Sequence, residues 1–193
     1  MKTTFTVAAV VAVACLLAAS LAFGQDDGLT LTLVSGTHTN TYTDSGSGMI
    51  NVPFGTAVGT WSIDSLTIYS QPAIGDSTDD YVYVYGGSLE NNSGSAPLVI
   101  KATETGFTAF STANATFDMT LQDYAEVTAT STGQINSTTI GNLAIAAPAG
   151  TAATSSTVIN NSAVTSPFNM TETVVINGSA GSTEASGPVN AEL

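Results

Sequence analysis

The chain has 193 residues, with two lysine or arginine residues against 15 aspartate or glutamate residues and a formal net charge of −13. Lys2 lies at the extreme N-terminus, so Lys101 is the only cation in the rest of the chain apart from one histidine. A nucleic-acid backbone is bound through several lysines and arginines, and anionic lipid attracts basic clusters. The composition therefore excludes nucleic acid and anionic membrane surfaces as partners. It favours neutral or cationic partners such as polysaccharides, divalent ions or other surface proteins.

The N-terminal segment has the pattern of a secretory leader. Lys2 precedes an apolar run from Phe5 to Leu17, and Ala22-Phe23-Gly24 supplies the small residues that signal peptidase reads. We predict a signal peptide over residues 1–24, followed by one domain over residues 25–193 that is secreted or held at the cell surface.

Two further absences follow from the sequence. The lone cysteine, Cys15, lies inside the predicted leader, so the mature chain is expected to lack disulfides. No second apolar run reaches the roughly 18 residues that a membrane helix needs. We therefore expect no membrane span in the mature chain.

Beyond the leader, short segments alternate between apolar and polar residues and are separated by turn signals. Leu29, Leu31 and Leu33 alternate with threonines, and the segment 81–85 alternates tyrosine with valine. This period of two is typical of strands with one buried face, and the spacing of the turns favours a single antiparallel β-sandwich, jelly-roll or Ig-like. Residues 128–166, rich in Ala, Ser, Thr, Asn and Gly, are either a disordered linker or weak strands, and we predict strands.

The tyrosine-rich segment is the first candidate site. Tyr81, Tyr83 and Tyr85 would form a stripe on one strand face, and such a row of rings can stack on sugar rings. The alternative is structural, with either the tyrosines or the alternating valines facing the core. At an open sheet edge, this uncharged, β-prone segment would instead pair with another chain.

The second candidate site is an acidic loop directly before the tyrosine segment. Asp76, Asp79 and Asp80 offer clustered carboxylates, which are the ligands that calcium prefers. The spacing is not that of an EF-hand, and a solvated acidic turn is the alternative. Calcium is the only cofactor that the sequence suggests.

No catalytic constellation stands out. Asp44-Ser45-Gly46 matches the aspartic-protease letters but has no second copy, so a β-turn is the better prediction. His38 is the only histidine, and the sequence has no Gly-x-Ser-x-Gly motif that would supply the serine of a Ser-His-Asp triad. Lys101 suggests an isopeptide cross-link, but the strand alternation predicts that it points to water. We expect a protein without enzymatic activity.

An ordered set of short pieces resembles a broad group of exported bacterial proteins, many of which end in a PEP-CTERM sorting tail. The pieces are Leu29-Thr30-Leu31-Thr32, the strand 97–102 leading into Glu104-Thr105-Gly106-Phe107-Thr108, Ser166-Pro167-Phe168 leading into 171–176, and Asn190-Ala191-Glu192-Leu193. The resemblance implies an all-β sandwich at the cell surface or in the extracellular matrix, and no catalytic residues. The sorting tail itself is not part of this sequence.

Together these observations predict a non-catalytic extracellular β-sandwich with a structural or adhesive role. Two alternatives stay open: a calcium-assisted carbohydrate-binding module and a self-assembling surface subunit.

Overall fold

The computed structural model describes residues 28–71, 81–107, 114–122, 127–147, 152–160, 167–178, 185–186 and 190–192. Within these ranges the chain consists of antiparallel strands and turns, with no helix, and thus no helix that could span a membrane. The strands are β1 (Thr30–Ser35), β2 (His38–Thr43), β3 (Met49–Val52), β4 (Thr56–Val58), β5 (Trp61–Gln71), β6 (Tyr81–Asn91), β7 (Leu98–Phe107), β8 (Asn114–Gln122), β9 (Val127–Ile135), β10 (Thr138–Ala147), β11 (Ala152–Asn160), β12 (Phe168–Gly178), β13 (Ala185–Ser186) and β14 (Asn190–Glu192).

The strands form two sheets. Sheet A has six strands in the order β10-β9-β12-β7-β1-β2. Sheet B has the order β11-β8-β14-β6-β5-β3, with β4 paired to β5 and β13 paired to β6. The predicted all-β antiparallel sandwich is therefore confirmed. Strands β10 and β11 lie inside residues 128–166, and β9 does so apart from its first residue, Val127, so the prediction of strands there is also confirmed for the described part of that segment.

The core lies between the two sheets because alternate residues of each strand point inward. In β1, Leu31 and Leu33 are fully buried, while the threonines between them are half-buried. Sheet A contributes to this core the side chains Leu29, Leu31, Leu33, Leu98, Ile100, Ala102, Phe107, Ala129, Met170, Val174 and Ile176. Sheet B contributes Ile50, Val52, Trp61, Ile63, Leu66, Ile68, Val82, Val84 and Leu89.

Hydrogen bonds from two side chains fasten the loops at one end of the sandwich. The Trp61 indole N–H donates to the carbonyl of Ala96 at 2.9 Å. The buried Asn91 amide donates to the carbonyls of Gly94 at 3.3 Å and Gly178 at 3.2 Å, and thereby joins a strand of sheet B to a strand of sheet A. Buried polar groups of this kind need such partners, since leaving them unpaired costs free energy.

Candidate functional site

Three tyrosines lie together on the outer face of sheet B. Tyr69 of β5 stands opposite Tyr83 of β6 in the strand register, and Tyr85 follows two residues further along β6. The Tyr69 and Tyr83 ring centroids are 6.3 Å apart with ring planes at 42°. The Tyr83 and Tyr85 centroids are also 6.3 Å apart, and their planes are nearly parallel at 18°. We call these three residues the tyrosine cluster.

The tyrosine cluster faces outward because the residues next to its members along β5 and β6 face inward. Val82 and Val84 are fully buried, whereas Tyr69 keeps 38% and Tyr85 44% of its surface exposed. Tyr83, between them, is half-buried. The sequence left two orientations of this strand open, and the structure selects the one that presents the rings to solvent.

Hydrogen-bonding side chains border the tyrosine cluster. Thr67 stands opposite Tyr85 in the register, and its hydroxyl donates to the Asn51 amide oxygen at 2.8 Å. Met49 stands opposite Tyr69 on β3 and is 38% exposed. The surface thus combines flat aromatic rings, an exposed thioether and amide and hydroxyl groups, a mixture that suits a ligand with both apolar faces and hydroxyls.

The structure describes only some of the predicted site residues. Tyr83 and Tyr85 lie in the tyrosine cluster. Tyr81 is the first residue of β6 and pairs with Gln71, but its side chain lies outside the description. Asp76, Asp79 and Asp80 also lie outside the described residues, so the calcium site stays a prediction. Within the described ranges, no group of three or more His, Cys, Asp or Glu side chains is placed to hold a metal ion.

Sequence reasoning missed Tyr69. It joins the cluster only because β5 pairs with β6 in the register that sets it opposite Tyr83. The outward position follows from the alternation of β5, where the neighbouring Ile68 is fully buried.

Two buried glutamates form a second polar constellation, inside the core. Glu104 of β7 and Glu172 of β12 are both fully buried. The Ser70 hydroxyl donates to Glu104 Oε2 at 2.7 Å, and the Ser131 hydroxyl donates to Glu172 Oε1 at 2.9 Å. Glu172 stands opposite Ala102 and Met170 stands opposite Glu104, so the two carboxyls occupy diagonal positions on the inner face of sheet A.

Burial controls the protonation of Glu172. It raises the pKa of the Glu172 carboxyl from 4.5 to about 8, an effect that the hydrogen bond from Ser131 opposes. Its Oε2 atom has no hydrogen-bond partner in the described part of the chain. Near neutral pH the group is therefore mostly a neutral acid within the core. Strand alternation is the signal that could have found it, because Glu172 has the same parity as Met170 and Val174.

The outer face of sheet A contrasts with that of sheet B. The only carboxylates in its six strands are the inward-pointing Glu104 and Glu172, so none of the described side chains on its outer face is acidic. Its outer positions are mostly threonines, with Thr103 Oγ1 and Thr171 Oγ1 3.1 Å apart. Lys101 is exposed on this face, which confirms the prediction that it points to water and leaves it outside the core where a cross-link would form.

The predicted turn at Asp44 is confirmed. The Asp44 carboxylate accepts hydrogen bonds from the backbone N–H groups of Gly46 at 3.0 Å, Ser47 at 2.6 Å and Gly48 at 2.7 Å. A carboxylate so engaged stabilises the connection between β2 and β3. His38 is exposed at the start of β2, where it pairs with Ser35 of β1.

The sequence matches no protein-family model, and it matches no curated protein either.

Proposed function

We propose that this protein is a non-catalytic extracellular β-sandwich that adheres to neutral polysaccharide through the tyrosine cluster. The observation that carries the proposal is the placement of Tyr69, Tyr83 and Tyr85 on one outer face with their rings in a contiguous group. Aromatic rings contact the apolar C–H faces of sugar rings, and neighbouring hydroxyl and amide groups bind sugar hydroxyls. Asn51 and Thr67 supply such groups beside the rings.

The charge of the chain supports a neutral ligand. With a net charge of −13, the protein repels anionic polymers at long range. Lys101, the only lysine after the predicted leader, lies on sheet A, away from the tyrosine cluster on sheet B. A neutral glycan avoids that repulsion and needs no basic side chain for its recognition.

The absence of catalysis is part of the proposal. A glycosidase needs two carboxyl groups that reach the scissile bond of a sugar chain. Glu104 and Glu172 occupy diagonal positions on the inner face of sheet A, and both are fully buried. Their burial supports a role within the core rather than at a substrate.

The extracellular location rests on the leader pattern of residues 1–24 and on the resemblance to exported sandwich proteins. Calcium enters only through Asp76, Asp79 and Asp80, which directly precede β6 in the sequence. If that loop binds calcium, the ion would assist the tyrosine cluster from the start of the same strand.

Co-sedimentation with insoluble cellulose and chitin tests the proposal. We expect the purified protein to be retained, and the double variant Tyr69→Ala/Tyr85→Ala to lose at least about tenfold in affinity, because two stacking rings are removed. The matched control is Phe54→Ala, since Phe54 is 83% exposed in the turn between β3 and β4 and is not part of the cluster. Retention of this control at the level of the unmodified protein would assign the loss to the cluster.

Each arm of the experiment separates one alternative. Retention that falls with a calcium chelator and with Asp79→Ala supports the calcium-assisted form. Equal retention of the double variant and the unmodified protein would overturn the role of the tyrosine cluster. Absence of retention on either polysaccharide would leave a structural matrix protein as the better account.

A further inference from the structure

Strand β2 is an open edge of sheet A. It pairs with β1 on one side over six consecutive residues without a register shift, from Thr30 opposite Thr43 to Ser35 opposite His38. No strand among the described residues pairs with its other side. By contrast, the tyrosine-rich strand β6 pairs with β5 on one side and with β13 and β14 on the other, so it is not available for edge pairing.

The direction of the free backbone groups of β2 follows from one hydrogen bond. The Asp44 N–H donates to the Leu29 carbonyl at 2.9 Å, which makes Leu29 and Asp44 a hydrogen-bonded pair. Such pairs alternate with non-bonded pairs in an antiparallel ladder. Tyr42, Asn40 and His38 therefore direct their backbone groups to β1. Thr39, Thr41 and Thr43 direct theirs away from it, and all three residues are exposed.

Two of the other edge strands, β10 and β3, carry features that hinder strand addition. β10 has a register shift between Thr139 and Gly141, and it contacts β11, the edge strand of sheet B. β3 has only four residues and is followed by Pro53. Short strands, irregularities, prolines and lysines are the usual protection of sheet edges, and β2 has none of them.

Charge favours a second copy of this chain as the occupant of the β2 edge. Neither β1 nor β2 contains an aspartate, glutamate, lysine or arginine, although the chain as a whole carries a net charge of −13. Pairing of two copies along this hairpin therefore brings no charged side chain of β1 or β2 against another. An antiparallel pairing centred on Thr41 also sets Thr39 opposite Thr43, so that all outward backbone groups find partners. The same register places His38 of one copy opposite Asp44 of the other, which avoids a like-charge pair.

We propose that the protein forms a two-fold symmetric dimer by antiparallel pairing of β2 with β2 of a second copy, with Thr41 opposite Thr41 on the symmetry axis. The pairing is isologous and closes after two copies. It joins the two A sheets into one continuous sheet and extends their threonine-rich outer faces side by side. The tyrosine clusters stay on the outer faces of the two B sheets, so the dimer would present two of them.

Sedimentation velocity over a range of protein concentrations tests the dimer. We expect a concentration-dependent shift from monomer to dimer and no larger species. Thr41→Pro removes the outward N–H and leaves the ladder to β1 intact, so the dimer dissociation constant should rise at least about tenfold, because both copies lose a donor. The matched control is Thr41→Ala, which keeps the backbone N–H and should dimerise like the unmodified protein.

A second variant guards against misfolding of the proline variant. Thr41→Lys keeps the N–H but places two lysines opposite each other on the axis, and it should also weaken the dimer. A monomer at every concentration, a dimer that both variants leave unchanged, or growth into open-ended assemblies would each overturn the proposal. Because the polysaccharide assay uses different residues, its result does not decide this one.

Discussion

The two sheets of this sandwich use the same alternation to present opposite chemistries. Sheet A places two carboxyl groups, Glu104 and Glu172, on its inner face, and threonines with a single lysine on its outer face. In the described part of sheet B, the inner face is almost wholly apolar, and the outer face carries the tyrosine cluster. The comparison shows that the alternation along a strand decides whether a residue points inward or outward. The types of the outward residues then decide which sheet can recognise a ligand.

The largest expected effect on the free energy of unfolding comes from Glu172, on the inner face of sheet A. Its pKa is about 8 in the folded state against 4.5 as the ordinary value, so the folded chain keeps a proton that the unfolded chain loses. The resulting stability is fully present below pH 4.5 and is lost as the pH rises towards about 8. At about 1.4 kcal/mol for each pKa unit, the full change is on the order of 5 kcal/mol.

Glu172→Gln removes this titration. We expect the free energy of unfolding of the variant to rise relative to the unmodified protein as the pH increases from 4 to 8.5, as measured by equilibrium urea unfolding at each pH. Glu90→Gln is the matched control, since it removes one carboxylate at a half-buried position of sheet B. A difference between Glu172→Gln and the unmodified protein that stays constant over this pH range would show that the Glu172 carboxyl titrates alike in both states.

The contrast between the two sides of sheet B is tested by adjacent residues of β5. Ile68→Ala leaves a cavity in the core and should cost about 2–5 kcal/mol of unfolding free energy. Tyr69→Ala, one residue later, removes an exposed ring and should cost less than half as much. The measurement is urea unfolding of both variants at one pH. Equal losses would mean that Tyr69 is part of the packing, which would weaken its assignment to a ligand surface.

The sequence was sufficient for the fold class and for part of the tyrosine cluster. Alternation and turn spacing predict the antiparallel sandwich, and the stripe on β6 places Tyr83 and Tyr85 on one strand face. Tyr69 could not be assigned, because strand register is a long-range property that no local pattern encodes. Alternation would have placed Glu104 and Glu172 inward, but the usual exposure of glutamate argues against that assignment.

The edge at β2 shows the same limit of local patterns. Only the strand order of sheet A shows that β2 has one neighbouring strand among the described residues. Residue types alone favour the tyrosine-rich segment as the strand that would pair with another chain at an open edge. Because β6 is paired on both sides, it cannot take that role. We assign the role instead to the threonine-rich strand β2.

The smallest expected effect on the free energy of unfolding comes from Lys101, on the outer face of sheet A. Its side chain is exposed, and its register neighbours are Thr32 and Thr173, neither of which is charged. Lys101→Gln should therefore change the unfolding free energy by less than about 0.5 kcal/mol, as is usual for a surface position. It should also leave retention on polysaccharide unchanged, because sheet B carries the tyrosine cluster. A loss of retention in this variant, with its stability intact, would instead make the threonine-rich face the adhesive surface and reverse the assignment of the two sheets.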